Sequence, residues 1–260
     1  MKISVLYLVV CLLAQNLFGN VNGEPIKQLM DDFLSNDWPV VFAAKEKIEN
    51  LGSEAIPEML KIMDDCRVNK LENTGDLIFP GAEKYYGHGQ IIDYDIDNIC
   101  VRAGWLLEEL TFNNFGFSGI HLPADELIGF ISKTFPDYYG VQTNRNNAGK
   151  LDETGKRKLI RTLSIEKAKK WWQSVAKPWN RLTALEQSLK SADEKRQVKA
   201  LFYMRNGKTA CKGLTQKYYK SKLEKTVMKL TKSETNRVSE NAKLIMLDSD
   251  FDWLTLKPVN

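Results

Sequence analysis

Apolar residues along this chain recur at spacings of three and four, and strict alternation is scarce, so the pattern predicts helices. Ile26, Leu29, Met30, Phe33 and Leu34 share one face of a short helix opened by Pro25. Asp37 stands where a second helix needs a cap, and Val41, Ala44, Ile48 and Leu51 form its inward face up to Gly52. Ser53 is placed to cap a third helix, with Ile56, Leu60 and Met63 facing in. Pro57 fits its first turn, where backbone donors have no helical partner. Ile96, Ile99, Cys100, Ala103, Leu107 and Leu110 make a further stripe. The second half repeats the habit with Ile165, Ala168, Trp172 and Val175, then Leu182, Leu185 and Leu189, then Val198, Leu201 and Phe202 up to Gly207. Tyr219, Leu223, Val227 and Leu230 mark another face, ringed by Lys212, Lys217, Lys220, Lys222, Lys225 and Lys229, and Ser233 is placed to cap a last helix through Leu247.

Two stretches break the period. Residues 67–95 hold Gly75, Pro80, Gly81, Gly87 and Gly89, yet Phe79, Tyr85 and Tyr86 give them something to bury. That predicts one long ordered loop, and such loops are usually functional. Residues 140–158 are Asn, Gly, Thr and charge, which predicts a flexible loop or linker.

The stretch AAKEKIENLGSEAIPEMLKIMDD, Ala43 to Asp65, resembles one HEAT repeat: a helix ending in Leu-Gly, a tight turn, then Ala-Ile-Pro opening a second helix. VRAGWLLEEL resembles the Arg-Ala helix of such repeats. ELTFNNFGF and the later KAKKWW resemble the terminal part of bacterial envelope proteins with HEAT-like helices. The resemblance implies an all-α, irregular αα-hairpin superhelix of HEAT or armadillo type, used for binding and scaffolding. It carries no catalytic residues.

At the N-terminus Lys2 precedes an apolar run from Ile3 to Ala14, and Val21-Asn22-Gly23 supplies a cleavage site. Residues 1–23 are thus expected to be a signal peptide with Glu24 as the mature start, since the run is shorter than the ~20 residues a spanning helix needs. No later stretch is expected to span a membrane, so the chain is read as exported, periplasmic or secreted. Charge then divides it. Residues 24–150 hold 11 Lys+Arg against 21 Asp+Glu, a net of −10, and residues 151–260 hold 25 against 12, a net of +13. The expected organisation is an acidic helical half at 24–139, the linker at 140–158 and a basic helical half at 159–260. A basic half points to an acidic protein or an anionic envelope component, or to internal docking on the acidic half. Nucleic acid is a poor partner for an exported chain. Cys66, Cys100 and Cys211 remain after signal removal, with no metal-ligand spacing among them. They are read as buried thiols, a disulfide between two of them being the alternative.

Candidate chemistry is sparse. Asp93, Asp95 and Asp97 open as a calcium loop does, but Asn98 stands at its sixth position and Gly104 at its twelfth. The favoured reading makes Asp95 or Asp97 the cap of the following helix. His88, between two glycines, is a candidate general base or ligand, and Glu108 or Glu109 would have to reach it through the fold. Those two acids are adjacent on a helix and point to different faces. Trp171 lies off its helix's apolar stripe beside Lys167 and Lys170, as a stacking ring or as cover for a neighbouring helix. Tyr85, Tyr86, His88, Trp171, Lys217, Lys220 and Lys225 are therefore the candidate binding residues, and His88 and Glu108 the candidate catalytic pair. No metal or cofactor is implied. The expected function is non-catalytic binding of a macromolecule; the alternatives are an envelope hydrolase or glycan-modifying enzyme using the 67–97 loop, and an immunity protein that plugs a toxin.

Overall fold

The computed structural model describes residues 23–74, 94–140, 148–175, 177–206 and 213–247. The fold is all-α, with no strand among these residues. Residues 1–22 of the expected signal peptide, most of the expected 67–95 loop with Tyr85, Tyr86, His88 and Asp93, and Cys211 lie outside them. In chain order the helices are α1 (Gly23–Phe33), α2 (Trp38–Leu51), α3 (Ile56–Ile62), α4 (Ile99–Thr111), α5 (Leu127–Thr134), α6 (Pro136–Gly140), α7 (Glu153–Ser174), α8 (Arg181–Leu189) and α9 (Glu194–Asn206). Next comes α10, built from Gln216–Tyr218, a π-helical stretch Tyr219–Leu223 and Glu224–Leu230; α11 is Asn236–Leu247. Short 3-10 turns at Gly52–Glu54 and Phe117–His121 link the elements.

Helix ends follow tertiary contacts as much as local chemistry. Asp37 holds the cap position of α2, yet its carboxylate accepts from Asn73 Nδ2 at 2.7 Å. Gly52 ends α2 at φ +62°, a left-handed backbone that a side chain would strain. Three expected caps are corrected. Ser53 falls inside the 3-10 turn, and Ala55 precedes α3. Asn98, not Asp95 or Asp97, precedes α4, because the Asp97 carboxylate is taken by the Leu71 amide at 2.9 Å. Ser233 Oγ accepts from Thr235 N, and α11 starts later, at Asn236. Of the segment expected as a linker at 140–158, residues 141–147 lie outside the described ones, and its last residues are helical. Asp152 accepts from Gly155 N at 2.7 Å and starts the 22-residue α7, so the segment's C-terminal part is a solvated first turn. A polar turn needs no apolar period when the rest of the helix is packed.

The centre of the fold is α4. Each of its 13 residues is buried, with α2, α3, α7, α8 and the Phe117–His121 turn around it. Gly104 is required there, since a Cβ would lie 2.4 Å from the Phe117 ring. The expected one-sided stripe on this helix is therefore too narrow.

Two cores share the molecule. The first is drawn from α1 to α5 and from α7; the second from α8 to α11 together with Phe112. Trp179 packs against both. The basic helix α7 thus belongs to the first core, and the division between cores falls after the change in charge sign.

The reading of Cys66 and Cys100 as free thiols is corrected too, for they form a disulfide. Cys66 lies beyond the end of α3, where the returning chain brings it within 4.9 Å (Cα to Cα) of Cys100 on α4. Beside it, the buried guanidinium of Arg102 donates to the carbonyls of Ile96, Phe33, Ser35 and Asn69. Burial lowers its pKa to about 10, opposed by Asp97, so it stays charged at neutral pH. One side chain thereby ties α1, the 66–73 segment and α4 together.

Candidate functional site

Charged side chains gather in two contrasting places. The first is a buried hub where α2, α4 and α9 meet. Lys45 on α2 lies 2.8 Å from Glu49 and 2.8 Å from Glu109, with its ammonium 5.1 Å from the centre of the Trp105 ring. Tyr203 of α9 places its hydroxyl 2.8 Å from Glu49 and 2.7 Å from Glu109, and Trp105 Nε1 donates to Glu109 at 2.6 Å. The phenol has one hydrogen to give, and the Lys45 ammonium supplies the others these two carboxylates need. Arg181 of α8 covers this group, 5.0 Å over the Tyr203 ring. Burial alone would lower the Lys45 pKa, but Glu109 and Glu49 outweigh it and hold the ammonium above its ordinary value. Burial, Glu109 and Glu49 together push the Tyr203 phenol well up.

Glu108 points the other way along the same helix, as expected from adjacent helical positions. Its Oε1 accepts from the amides of Phe115, Gly116 and Phe117 at 2.6, 2.8 and 3.3 Å. Gly116, at φ +110°, turns those amides inward. Its Oε2 accepts from the Tyr94 hydroxyl at 2.6 Å and from Lys199 at 3.0 Å. Burial would raise this carboxyl, yet Lys199, Tyr94 and the Gly116 amide hold it below the usual carboxylate range. With five donors and 1 % exposure, both oxygens of Glu108 are occupied within the fold. In the fold it acts as a charge anchor, and His88, its candidate partner, lies outside the described residues. Removing one member of such a buried pair costs roughly 3–5 kcal/mol, because the partner is left charged in the interior.

The second place is the outer face of α10. Tyr219, Leu223, Val227 and Leu230 are buried, while Lys217, Lys220, Lys222, Lys225, Met228 and Lys229 are exposed. In an α-helix the eight steps from Tyr219 to Val227 overrun two turns by about 80°. The wider π turn takes up part of that drift and keeps the buried side chains aligned. Burial and Glu224 raise the Tyr219 phenol to about 12. Tyr218 clamps the helix to α8 by donating to Glu186 at 2.9 Å. Lys217, Lys225 and Lys229 form no ion pair with another described residue. Internal docking of the basic half is carried by other residues: Lys169 on Asp64 at 2.5 Å, Lys199 on Glu108, and Arg181 on the Glu109 carbonyl.

Neither protein-family models, nor curated proteins, nor solved structures give a match to this chain.

Of the remaining candidates, Trp171 takes the covering role. Its half-buried ring lies 5.4 Å from Phe115 and 5.7 Å from Trp172. Asp97 is tied to the 66–73 segment, and among the described residues no three His, Cys, Asp or Glu side chains gather as metal ligands would. Lys45, Glu49, Lys199 and Tyr203 escaped sequence reasoning. One signal was present: 41, 44, 45, 48 and 49 are all inward positions of an amphipathic helix, so Lys45 and Glu49 sit on the apolar face. No comparable signal marks Lys199 or Tyr203.

Proposed function

We propose that this chain is an exported, non-catalytic helical protein of HEAT-like character that holds an anionic macromolecule on the outer face of α10. The carrying observation is how the lysines are sorted: inward cations meet carboxylates and carbonyls, whereas Lys217, Lys225 and Lys229 project into solvent without an acidic partner among the described residues. The Cys66–Cys100 disulfide supports export, because such bonds persist in oxidising compartments. The saturation of Glu108 supports a non-catalytic role.

The test is the triple variant Lys217→Glu, Lys220→Glu and Lys225→Glu, titrated against soluble poly-glutamate alongside a melting curve. Affinity should fall at least tenfold and weaken further as salt rises, since exposed charges act over roughly 8 Å at physiological salt. Melting should barely move, because all three side chains are exposed. Unchanged affinity with a lowered melting temperature defeats the proposal.

A further inference from the structure

The π turn inside α10 also decides where its lysines stand. Its mark is the Glu224 amide, which donates to the Tyr219 carbonyl five residues back instead of four. Tyr219 and Val227 bracket that turn and are both buried, so the eight steps between them return to one side of the helix. Lys217 and Lys225 are separated by the same eight steps around the same turn, so they too return to one side. Each stands two positions before its buried counterpart, about 200° round the helix, which is the outermost line. Lys229 stands two positions after Val227, again about 200° away, and falls close to that line. All three are exposed. Without the extra residue of the π turn, Lys225 would drift by about 80° from Lys217, and the line would wind off the outer face.

The flanks are closer to neutral. On one of them the Glu186 carboxyl of α8 is held low by Lys190, by Tyr218 and by Lys222. On the other, Glu224 follows Lys220 by one turn. Exposed positive charge is thus drawn out along the helix and balanced at its sides. At roughly 1.5 Å per residue, the line runs about 12 Å from Lys217 to Lys225 and about 6 Å more to Lys229. An extended polypeptide repeats its side chains on one face every two residues, about 6.7 Å apart. Acids at alternate positions therefore come into step with these lysines, and the flexible lysine stems absorb the small difference. A compact anion would reach only part of the line, and a flat anionic surface would gain nothing from the alignment.

Resting on the reading above, we infer that the π turn of α10 sets Lys217, Lys225 and Lys229 in one ridge, which docks an extended acidic segment of a partner protein.

The experiment titrates the whole protein with two peptides of equal composition, one alternating Glu with Thr and one with its Glu residues bunched at one end. Poly-glutamate, alginate and phosphatidylglycerol vesicles are the other probes. The alternating peptide should bind about threefold tighter than the bunched one, which spans half the ridge and forgoes an ion pair. Two added charges then test the line itself. Ser221, exposed and four residues from both Lys217 and Lys225, lies on it, whereas exposed Met228 lies about 60° off Lys225. Ser221→Lys should tighten the alternating peptide by about threefold, and Met228→Lys, of equal net charge, by clearly less. Melting temperatures should stay at the wild-type value, since both positions are exposed. Equal affinity for the two peptides, or equal gains from the two substitutions, overturns the ridge, and poly-glutamate binding then leaves the proposed function standing. Tighter binding of alginate or of the vesicles than of the alternating peptide overturns the protein partner. No binding to any probe overturns both readings.

Discussion

Lys45 and Lys225 both lie on amphipathic helices of the same chain, and their surroundings reverse their meaning. Lys45 is 7 % exposed, held by two carboxylates and a phenol from three helices, whereas Lys225 is exposed on the outside of α10. The first is costly to bury and stays buried only because every charge around it is answered. The second loses little hydration and remains available to a partner. The +13 of residues 151–260 overstates what this half can offer, since Lys169, Arg181 and Lys199 are directed at the acidic half. Charge informs about partners only where the fold leaves it on the surface.

The sharpest way to break this contrast is at Glu108. Glu108→Ala strands Lys199 and three backbone amides, and should lower unfolding free energy in urea by about 3–5 kcal/mol. A change below ~1 kcal/mol would put Glu108 in the same class as the surface lysines. The same residue gives a pH signature. Its folded pKa lies below the unfolded value of about 4.3, so its stabilisation is present above that value and lost as pH falls through the folded one. Glu108→Gln should flatten this acid limb of a stability–pH profile. Lys45 and Tyr203 have raised pKa values, so their contributions hold below about 10 and disappear as pH climbs through the folded values.

Next in size is the disulfide. Replacing Cys66 and Cys100 by Ser should cost about 2–4 kcal/mol through the longer unconstrained loop. Mass spectrometry without reductant should show the wild-type chain lighter by two hydrogens, and a chain of full thiol mass removes this link from the fold. A double-mutant cycle of Lys45→Met and Glu109→Gln should return a coupling of roughly 1–3 kcal/mol, measured by denaturation. Additive effects there would mean that the hub acts as separate contacts. Smallest is the stability effect of reversing Lys217, Lys220 and Lys225, expected within about 1 kcal/mol, with the change appearing in polyanion affinity instead.

Much of this arrangement is written locally. The spacing of Val41, Ala44 and Ile48, or of Tyr219, Leu223 and Val227, states both a helix and its inward face, because neighbours three and four apart meet whatever the rest of the chain does. The exposed lysines of α10 follow from the same periodicity, and the glycine that stops α2 is equally local, since only its own backbone must turn left-handed. What local spacing leaves open is the other side of each helix. Whether the all-round burial of α4 is tolerated depends on α2, α3, α7 and α8 arriving around it. The fate of Glu108 depends on amides seven to nine residues ahead and on Lys199, 91 residues away. Cys66 and Cys100 pair only because the chain after α3 returns to the start of α4. Sequence by itself determined the apolar faces of helices such as α2, α8 and α10, since those are settled within one or two turns. Tertiary structure decided which charges were answered inside, because a buried charge can be judged only by partners that distant segments bring to it.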